Sequence, residues 1–297
     1  MKIIILGAGG IGSMAGALLS RENDVLLVGR EAHADKINKD GLKISGCINK
    51  NFKVKAATEI VEMDEGTLVI LCTKVVDSEA AIKKIRHLIK KNNIILCLQN
   101  GLGSEDIVKG IVKCKVIRGI TTAGTTFLEA GKVSCSNIGD IFIKQSDVSE
   151  KICRIFKKSG LPAQVDKNIK ERIWKKTIVN CVMNPLTAIF GVKNGALLKD
   201  TGLIMPIIDE LLAVAEKEDL KFDRRETFSM VIKIIKDSAE NKSSMLQDIL
   251  KGKKTEVNFL NGKIIELAEK HKINVPANKM LFSMVKFLEN DKPRAKK

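Results

Sequence analysis

Short runs of apolar residues recur along the first half of the chain. Residues 2–6, 25–28, 68–72 and 94–98 consist largely or wholly of aliphatic side chains and cysteine. Such runs are typical of strands that are buried on both faces of a parallel sheet. Residues 78–90 have a helical pattern and separate two of these runs, so we predict alternating strands and helices and an α/β fold.

The remainder of the first half continues the strand pattern with less regularity. Residues 41–57 predict a short strand pair, and the β-rich segments 116–127, 132–135 and 140–144 are separated by glycines. We expect them to finish the far side of the sheet with antiparallel or mixed strands. A helix at 149–158 and a strand at 163–165 then close a first domain, predicted to span residues 1–167.

After residue 167 the strand pattern stops and a helical period takes over. Helices are predicted at about 170–190, 203–218, 224–238, 253–271 and 276–288. The second half, residues 168–297, is therefore predicted to be an all-α domain.

The first strand leads into a glycine-rich turn and then an apolar helix. The turn contains Gly7, Ala8, Gly9, Gly10, Ile11 and Gly12. This G-x-G-x-x-G spacing allows a tight turn, lets a pyrophosphate approach the backbone and lets the helix pack closely on the strand. The free N–H groups at the helix start then favour the anion. We predict a Rossmann-type dinucleotide-binding domain.

The ends of three later strands carry candidate cofactor contacts. The second strand is followed by Arg30, where an NAD enzyme usually has an acidic residue, so the guanidinium favours the 2′-phosphate of NADP. The adjacent Glu31 leaves NAD open. Lys74 and Asn100 follow the strands at 68–72 and 94–98 and are expected at the ligand-binding edge of the sheet, although Lys74 is equally compatible with a plain surface residue.

A polar stripe marks the predicted helix at 170–190. Lys176, Asn180 and Asn184 stand four residues apart and therefore share one helix face, while apolar residues surround them. Because buried amides and ammonium groups need polar partners, we expect the stripe to face a ligand or another polar part of the protein. Lys176 is then the candidate proton donor. The alternative is a packing helix whose polar groups are satisfied internally.

Two later segments add polar groups. Residues 241–248 combine Asn241, two serines and an amide, and Ser243 or Ser244 could equally serve as a helix N-cap. Glu256 is predicted to lie on the long helix at 253–271, where an exposed surface acid is the alternative.

Composition and charge exclude several classes of protein. The chain has 297 residues, 44% of them hydrophobic, and no apolar run approaches the roughly 20 residues that cross a bilayer. Its seven cysteines form no Cys-x-x-Cys pair, and its three histidines lie in polar surroundings without clustered acids, so neither a metal site nor a disulfide framework is expected. The net charge of +16 comes from dispersed lysines without a nucleic-acid module, so it favours small anions over nucleic acid. We expect a cytoplasmic protein.

The motifs together resemble the ketopantoate reductase family over essentially the whole chain. The resemblance rests on the glycine-rich turn, Gln99-Asn100-Gly101, Trp174-x-Lys176-x-x-x-Asn180-x-x-x-Asn184-Pro185, Asn194-Gly195, Asn241-x-x-Ser244-Met245 with Gln247-Asp248, and Glu256 with Asn261-Gly262. It implies NADPH-dependent reduction of 2-dehydropantoate, a 2-keto acid, to (R)-pantoate on the route to pantothenate and coenzyme A.

The resemblance also implies roles for individual residues. Lys176 is implied as the proton donor, and Glu256 as acting on the cofactor or on Lys176. The implied substrate contacts are Asn100, Lys176, Asn180, Asn184, Asn194, Asn241 and Ser244. Asn100 is implied to touch the cofactor as well. Residues 119–126 are less typical of the family, so the resemblance assigns no cofactor contact there.

Two other functions stay open from the sequence. A related reductase acting on another small 2-keto acid has the same motifs, since family resemblance fixes the scaffold better than the side groups of the substrate. A dinucleotide-sensing protein without catalysis is a further alternative. Apolar faces in the helical half are compatible with a homodimer, and the sequence does not fix the oligomeric state.

Overall fold

A computed structural model describes residues 1–291, so the last six residues of the predicted second domain lie outside the described residues. The chain divides into two compact units, Met1–Ile169 and Lys170–Lys297. No helix within residues 1–291 has the length and apolar character needed to cross a membrane.

The first unit contains twelve strands and five α-helices. The strands are β1 (Lys2–Leu6), β2 (Asp24–Val28), β3 (Leu42–Gly46), β4 (Lys50–Phe52), β5 (Lys55–Ala57), β6 (Leu68–Leu71), β7 (Ile94–Cys97), β8 (Lys115–Thr121), β9 (Gly124–Glu129), β10 (Lys132–Asn137), β11 (Ile141–Lys144) and β12 (Ala163–Asp166). The helices are α1 (Gly10–Leu19), α2 (Glu31–Asp40), α3 (Val75–Ile85), α4 (Ser104–Lys109) and α5 (Ser149–Lys158). The helix predicted at 78–90 starts three residues earlier and ends at Ile85, where a 3-10 turn, Arg86–Leu88, follows.

The larger sheet has eight strands in the order β12-β11-β8-β7-β6-β1-β2-β5. Its pairs are parallel except β8 with β11, which is antiparallel. Alternate residues of β1 enter opposite cores, because Ile3 and Ile5 pack with α1 while Ile4 and Leu6 pack with α3. The sheet is thus buried on both faces, as its apolar runs predict. The predicted α/β unit followed by a helical unit is confirmed.

A second sheet of four strands, in the order β4-β3-β10-β9, covers α1. Its centre is the parallel pair of β3 and β10, in which Cys135 lies opposite Gly46. The thiols of Cys47 and Cys135 are 2.9 Å apart, and the Cys135 sulfur is 3.6 Å from that of Met14 on α1. The expectation that 116–127, 132–135 and 140–144 finish the far side of the main sheet is wrong for β9 and β10, because their apolar residues cover α1. It is right for β8 and β11.

Up to residue 291, the described part of the second unit contains six α-helices. They are α6 (Ile169–Phe190, its first residue in the first unit), α7 (Ile204–Lys217), α8 (Arg224–Asp237), α9 (Ser244–Leu250), α10 (Asn261–Lys270) and α11 (Pro276–Asn290). The prediction of one long helix at 253–271 is wrong, because Thr255 donates from both its backbone nitrogen and its hydroxyl to Oε1 of Glu289, at 2.6 and 2.7 Å. These bonds hold residue 255 outside a helix, and a 3-10 turn at Val257–Phe259 precedes α10.

Candidate functional site

Backbone contacts hold the glycine-rich turn between β1 and α1. The N–H groups of Gly7 and Ala8 both donate to the carbonyl of Val28, at 3.0 and 2.9 Å. Gly7 has a φ of +111°, and a Cβ there would lie 2.5 Å from the nitrogen of Thr73. A Cβ at Gly12 would lie 2.1 Å from the carbonyl oxygen of Gly7. Both positions therefore require glycine for the turn to close.

Gly9 is different, because the space beside it is open. A Cβ built there meets no heavy atom within 4 Å, and the residue is exposed at the N-cap of α1. The first turn of α1 starts with Gly10 and Ile11 and carries no acidic side chain. The first N–H groups of a helix lack carbonyl partners inside the helix, so this end attracts an anion.

Three predicted cofactor contacts lie at the same edge of the sheet as the turn. Arg30, Lys74 and Asn100 follow β2, β6 and β7, which together with β1 are adjacent parallel strands. Arg30 is exposed immediately before α2, whereas Lys74 and Asn100 are partly buried. Next to Arg30, a Cβ on Gly29 would lie 2.9 Å from the Cβ of Ala8, so the end of β2 runs close to the glycine-rich turn. The structure thus gathers the predicted dinucleotide residues of the first unit at one edge.

His33 supports the turn from inside the first unit. The backbone N–H of Gly131 donates to Nδ1 of His33 at 2.9 Å, so the imidazole proton resides on Nε2. Nε2 is 3.1 Å from Oγ of Ser13, which in turn donates to the carbonyl of Ala8 at 3.2 Å. Burial lowers the pKa of His33 below its usual 6.5. His33 lies on α2 and is 3% exposed, with a polar contact at each ring nitrogen.

The polar stripe of the second unit lies on one continuous helix, α6. Lys176 and Asn180 are partly buried, and Asn184 is 4% exposed. The apolar residues around the stripe are buried, as their pattern predicts: Ile178, Val179, Cys181, Val182 and Met183. The residue before Lys176, Lys175, is exposed, and its Nζ lies 2.6 Å from Oε1 of Glu171. Burial thus distinguishes the two adjacent lysines.

A proline interrupts the hydrogen bonding of α6 beside the stripe. Pro185 has no N–H to donate to the carbonyl of Cys181, four residues earlier. The side-chain Nδ2 of Asn261 on α10 donates to that carbonyl at 3.0 Å and also to Oδ1 of Asn278 at 3.0 Å. An amide from another helix therefore satisfies the backbone group that the proline leaves without a helical partner.

Three other predicted substrate residues lie in neighbouring segments. The N–H of Asn194 donates to the carbonyl of Asn241 at 3.0 Å, and its side-chain nitrogen donates to Ser238 at 3.0 Å. Within residues 1–291 the Asn194 Oδ1 is buried and has no hydrogen-bond partner. Ser243 is the N-cap of α9, accepting from the N–H of Leu246 at 3.1 Å. Ser244, in contrast, is exposed as the first residue of that helix.

A hydroxyl contact links this region to α6. Thr187 lies on α6, less than one helical turn after Asn184. Its Oγ1 is 2.7 Å from Oγ of Ser243. The stripe, the segment at Asn194 and the start of α9 are therefore adjoining parts of the second unit.

Glu256 lies outside a helix, contrary to the prediction. It is partly buried at the N-cap of the 3-10 turn Val257–Phe259, and its carbonyl accepts from the N–H of Phe259 at 2.9 Å. The hydrogen bonds from Thr255 to Glu289 hold the preceding residue outside a helix. The carboxylate of Glu256 therefore lies on an irregular segment.

The described residues contain no cluster of metal ligands, and burial changes the pKa of two of their thiols. No cluster of three or more His, Cys, Asp or Glu side chains within residues 1–291 is arranged to hold a metal ion. All seven cysteines are free thiols. Burial raises the pKa of both Cys72 and Cys97 to about 12, so these thiols stay protonated and poorly nucleophilic at neutral pH.

The sequence matches two profiles described as "Ketopantoate reductase PanE/ApbA", over residues 3–147, and "Ketopantoate reductase PanE/ApbA C terminal", over residues 168–289. It is 37% identical to a 2-dehydropantoate 2-reductase of Pyrococcus abyssi, over 96% of this chain and 97% of that protein. A 2-dehydropantoate 2-reductase of Pyrococcus horikoshii is 38% identical over 98% of both chains.

Two solved structures share the fold along nearly the whole chain. A PanE/ApbA family ketopantoate reductase from Ralstonia eutropha JMP134 superposes with a TM-score of 0.92 at 28% identity, covering 98% of this chain and 99% of that one. A D-mandelate dehydrogenase in a ternary structure with NADH and anilino(oxo)acetate also has a TM-score of 0.92, at 29% identity and 98% coverage of both chains.

Proposed function

The chain belongs to the ketopantoate reductase family, and on that premise we propose that it is an NADPH-dependent 2-dehydropantoate 2-reductase. The supporting observation is the 37% and 38% identity to proteins of that name over nearly the full length of both chains. The reaction forms (R)-pantoate, which places the proposed enzyme on the route to pantothenate and coenzyme A.

The first unit has the features that a bound dinucleotide needs, in the manner of a Rossmann-type domain. The open space beside Gly9 and the uncapped start of α1 fit a pyrophosphate. The exposed guanidinium of Arg30 suits a 2′-phosphate, which favours NADPH over NADH. We propose Lys74 and Asn100 as further cofactor contacts, because both follow strands at the same edge of the sheet.

When bound, the reduced nicotinamide supplies a hydride to the keto carbon of the substrate. Negative charge then develops on the carbonyl oxygen. We propose that the ammonium group of Lys176 stabilises this charge and donates its proton to the oxygen. Glu256 is proposed to act on the cofactor or on Lys176.

Amides and one hydroxyl are proposed to bind the rest of the substrate. Asn180, Asn184, Asn194 and Ser244 offer donors and acceptors suited to a carboxylate and a hydroxyl group, with Asn100 and Asn241 as further contacts. The buried Oδ1 of Asn194, which has no partner among the described residues, supports a role in binding, because a buried amide oxygen gains free energy from a ligand donor.

A second candidate substrate is a different small 2-keto acid. The D-mandelate dehydrogenase structure is as similar to this chain as the Ralstonia ketopantoate reductase structure, and it is a complex with NADH rather than with NADPH. The shared scaffold therefore supports reduction of a 2-keto acid more strongly than it supports one side group or one dinucleotide.

The decisive experiment compares NADPH and NADH oxidation by the purified full-length chain with 2-dehydropantoate, other branched 2-keto acids and phenylglyoxylate. The proposal expects the highest kcat/KM with NADPH and 2-dehydropantoate. A preference for another acid, or for NADH, would select the second candidate. Dinucleotide binding without turnover of any acid would instead favour a sensing protein. The cytoplasmic location and the homodimer remain predictions.

A further inference from the structure

Arg118 is a buried cation inside the first unit that the sequence patterns did not single out. It lies on β8, pairs in register with Cys97 at the end of β7, and is 2% exposed. A buried guanidinium is costly unless its N–H groups are hydrogen-bonded and its charge is compensated. Its hydrogen-bond partners therefore indicate which segments Arg118 stabilises.

The guanidinium binds backbone carbonyls of the two residues that flank Asn100. Its Nη2 donates to the carbonyl of Gln99 and to the carbonyl of Gly101, each at 2.8 Å. Two carbonyls that flank one residue are thus fixed by a single planar donor group, which holds the backbone at Asn100 in one conformation. Gly101, with a φ of +80°, turns the chain immediately afterwards.

The other arm of the guanidinium anchors the start of α4. Nη1 donates to the hydroxyl of Ser104 and is 3.5 Å from Oε2 of Glu105, whose charge compensates the arginine. Arg118 thereby joins the turn after β7 to the next helix as well as to its own strand.

Gln99 extends this network to the neighbouring strand end. Its side-chain nitrogen is within hydrogen-bond distance of the carbonyl of Thr73, at 2.8 Å, and of the hydroxyl of Ser78 on α3, at 2.5 Å. Thr73 directly precedes Lys74. The same network therefore connects the segments that carry Lys74 and Asn100, both at the edge of the sheet where the glycine-rich turn lies.

We propose that Arg118 is a positioning residue that fixes the backbone of Asn100 for contact with cofactor and substrate. This inference rests on the proposed function in one respect, which is that Asn100 contacts cofactor and substrate. The ordering of residues 99–101 by Arg118 is independent of that function.

The test uses Arg118→Lys, which keeps the charge but has one shorter-reaching nitrogen in place of the Nη2 that binds the two carbonyls and the Nη1 that binds Ser104. The exposed Arg154→Lys is the matched control. Hydrogen exchange is measured on a peptide covering residues 98–103 and on one covering β1. We expect faster exchange in the 98–103 peptide of Arg118→Lys and unchanged exchange in β1. Ser104→Ala, which removes one partner and leaves both carbonyl contacts, should give a smaller increase.

Steady-state kinetics then separates positioning from a general structural role. We expect Arg118→Lys to lower kcat/KM by about 10- to 100-fold, since small displacements of a substrate-contacting group have effects of this size. In an Asn100→Ala background the same substitution should lower kcat/KM much less, because the Asn100 side chain that Arg118 would position is already absent.

Unchanged exchange at 98–103 in Arg118→Lys, or equal losses with and without the Asn100 side chain, would overturn the inference. If the wild-type protein reduces no 2-keto acid, the proposed function fails and the role of Asn100 with it. The exchange measurement still decides in that case whether Arg118 orders the segment.

Discussion

The Nδ1 atom of His33 accepts a hydrogen bond from the backbone N–H of Gly131 at 2.9 Å. The bond joins α2 to the turn between β9 and β10, and the opposite ring nitrogen contacts Ser13 next to the glycine-rich turn. A protonated imidazole has no acceptor left at Nδ1, so protonation breaks this connection.

His33 is therefore expected to make stability depend on pH. Burial lowers its pKa in the folded state below the usual 6.5, so the unfolded chain binds the proton at a higher pH than the folded chain. The neutral histidine makes its full contribution to the free energy of unfolding above the pKa of the unfolded state. That contribution is lost as the pH falls through the pKa of the folded state. Denaturant titrations from about pH 8 to about pH 5 should show this loss in wild type and a smaller one in His33→Gln. Equal pH slopes would contradict the prediction.

The glycines of the turn should respond differently to alanine. Gly12→Ala is expected to cost about 2–3 kcal/mol of unfolding free energy, because its Cβ would lie 2.1 Å from the Gly7 carbonyl oxygen. Gly9→Ala should leave the unfolding free energy unchanged, since its Cβ enters open space, yet should weaken NADPH binding by occupying the approach of the pyrophosphate. Thermal unfolding and dinucleotide titration measure the two effects. Wild-type NADPH affinity in Gly9→Ala would place the phosphates elsewhere.

Arg30→Ala is expected to reduce the preference for NADPH. Loss of a charge-assisted bond to the 2′-phosphate should raise the NADPH Kd by roughly tenfold or more, with little change for NADH. Arg21→Ala is the control, because Arg21 is also exposed but follows α1 at the opposite end of the β2 strand. Equal effects of Arg30→Ala on both dinucleotides would argue against recognition of the 2′-phosphate.

Lys176→Ala is expected to lower kcat by about 10²- to 10⁴-fold while NADPH still binds, because the proton donor is lost and the dinucleotide contacts are not. The adjacent Lys175→Ala provides a matched control, since Lys175 is exposed and paired with Glu171. Stopped-flow measurement of NADPH oxidation reports the chemical step. Near-normal turnover in Lys176→Ala would remove this lysine from the mechanism.

Asn261→Ala should destabilise the second unit by about 1–3 kcal/mol, because it leaves the carbonyl of Cys181 without its donor. In a Pro185→Ala background the loss should be smaller, since residue 185 then has an N–H for that carbonyl. Asn258→Ala, an exposed neighbour, is the control in denaturant unfolding. An equal penalty in both backgrounds would show that the proline and the amide act independently.

Local pattern was sufficient to predict the strands of the main sheet and most helices. Runs such as residues 68–72 are buried on both faces, so composition alone reports their environment. The partial burial of Lys176 also follows from helical spacing, because it shares one face with Asn180 and Asn184 between apolar residues. The geometry of the glycine-rich turn follows from steric requirements that only glycine meets.

The features that were missed depend on contacts between distant residues. Nothing near Thr255 signals that Glu289 binds it, so the helical periodicity predicts a helix from 253 whose first turns do not form. Arg118 offers a weak signal, as the one charge that follows Lys115 in β8, but its partners come from the turn after another strand. Likewise, β9 and β10 have the pattern of any half-buried strand, and the choice between two sheets depends on α1.

The second sheet has a consequence for how the chain acquires its structure during synthesis. The contact between Cys47 and Cys135 joins residues 88 positions apart, and β3 cannot pair with β10 until the latter has left the ribosome. Until then the outer surface of α1, including Met14, has no cover. The nascent first unit therefore carries an uncovered apolar helix through much of its translation, and this interval is the one in which a chaperone would have most to bind.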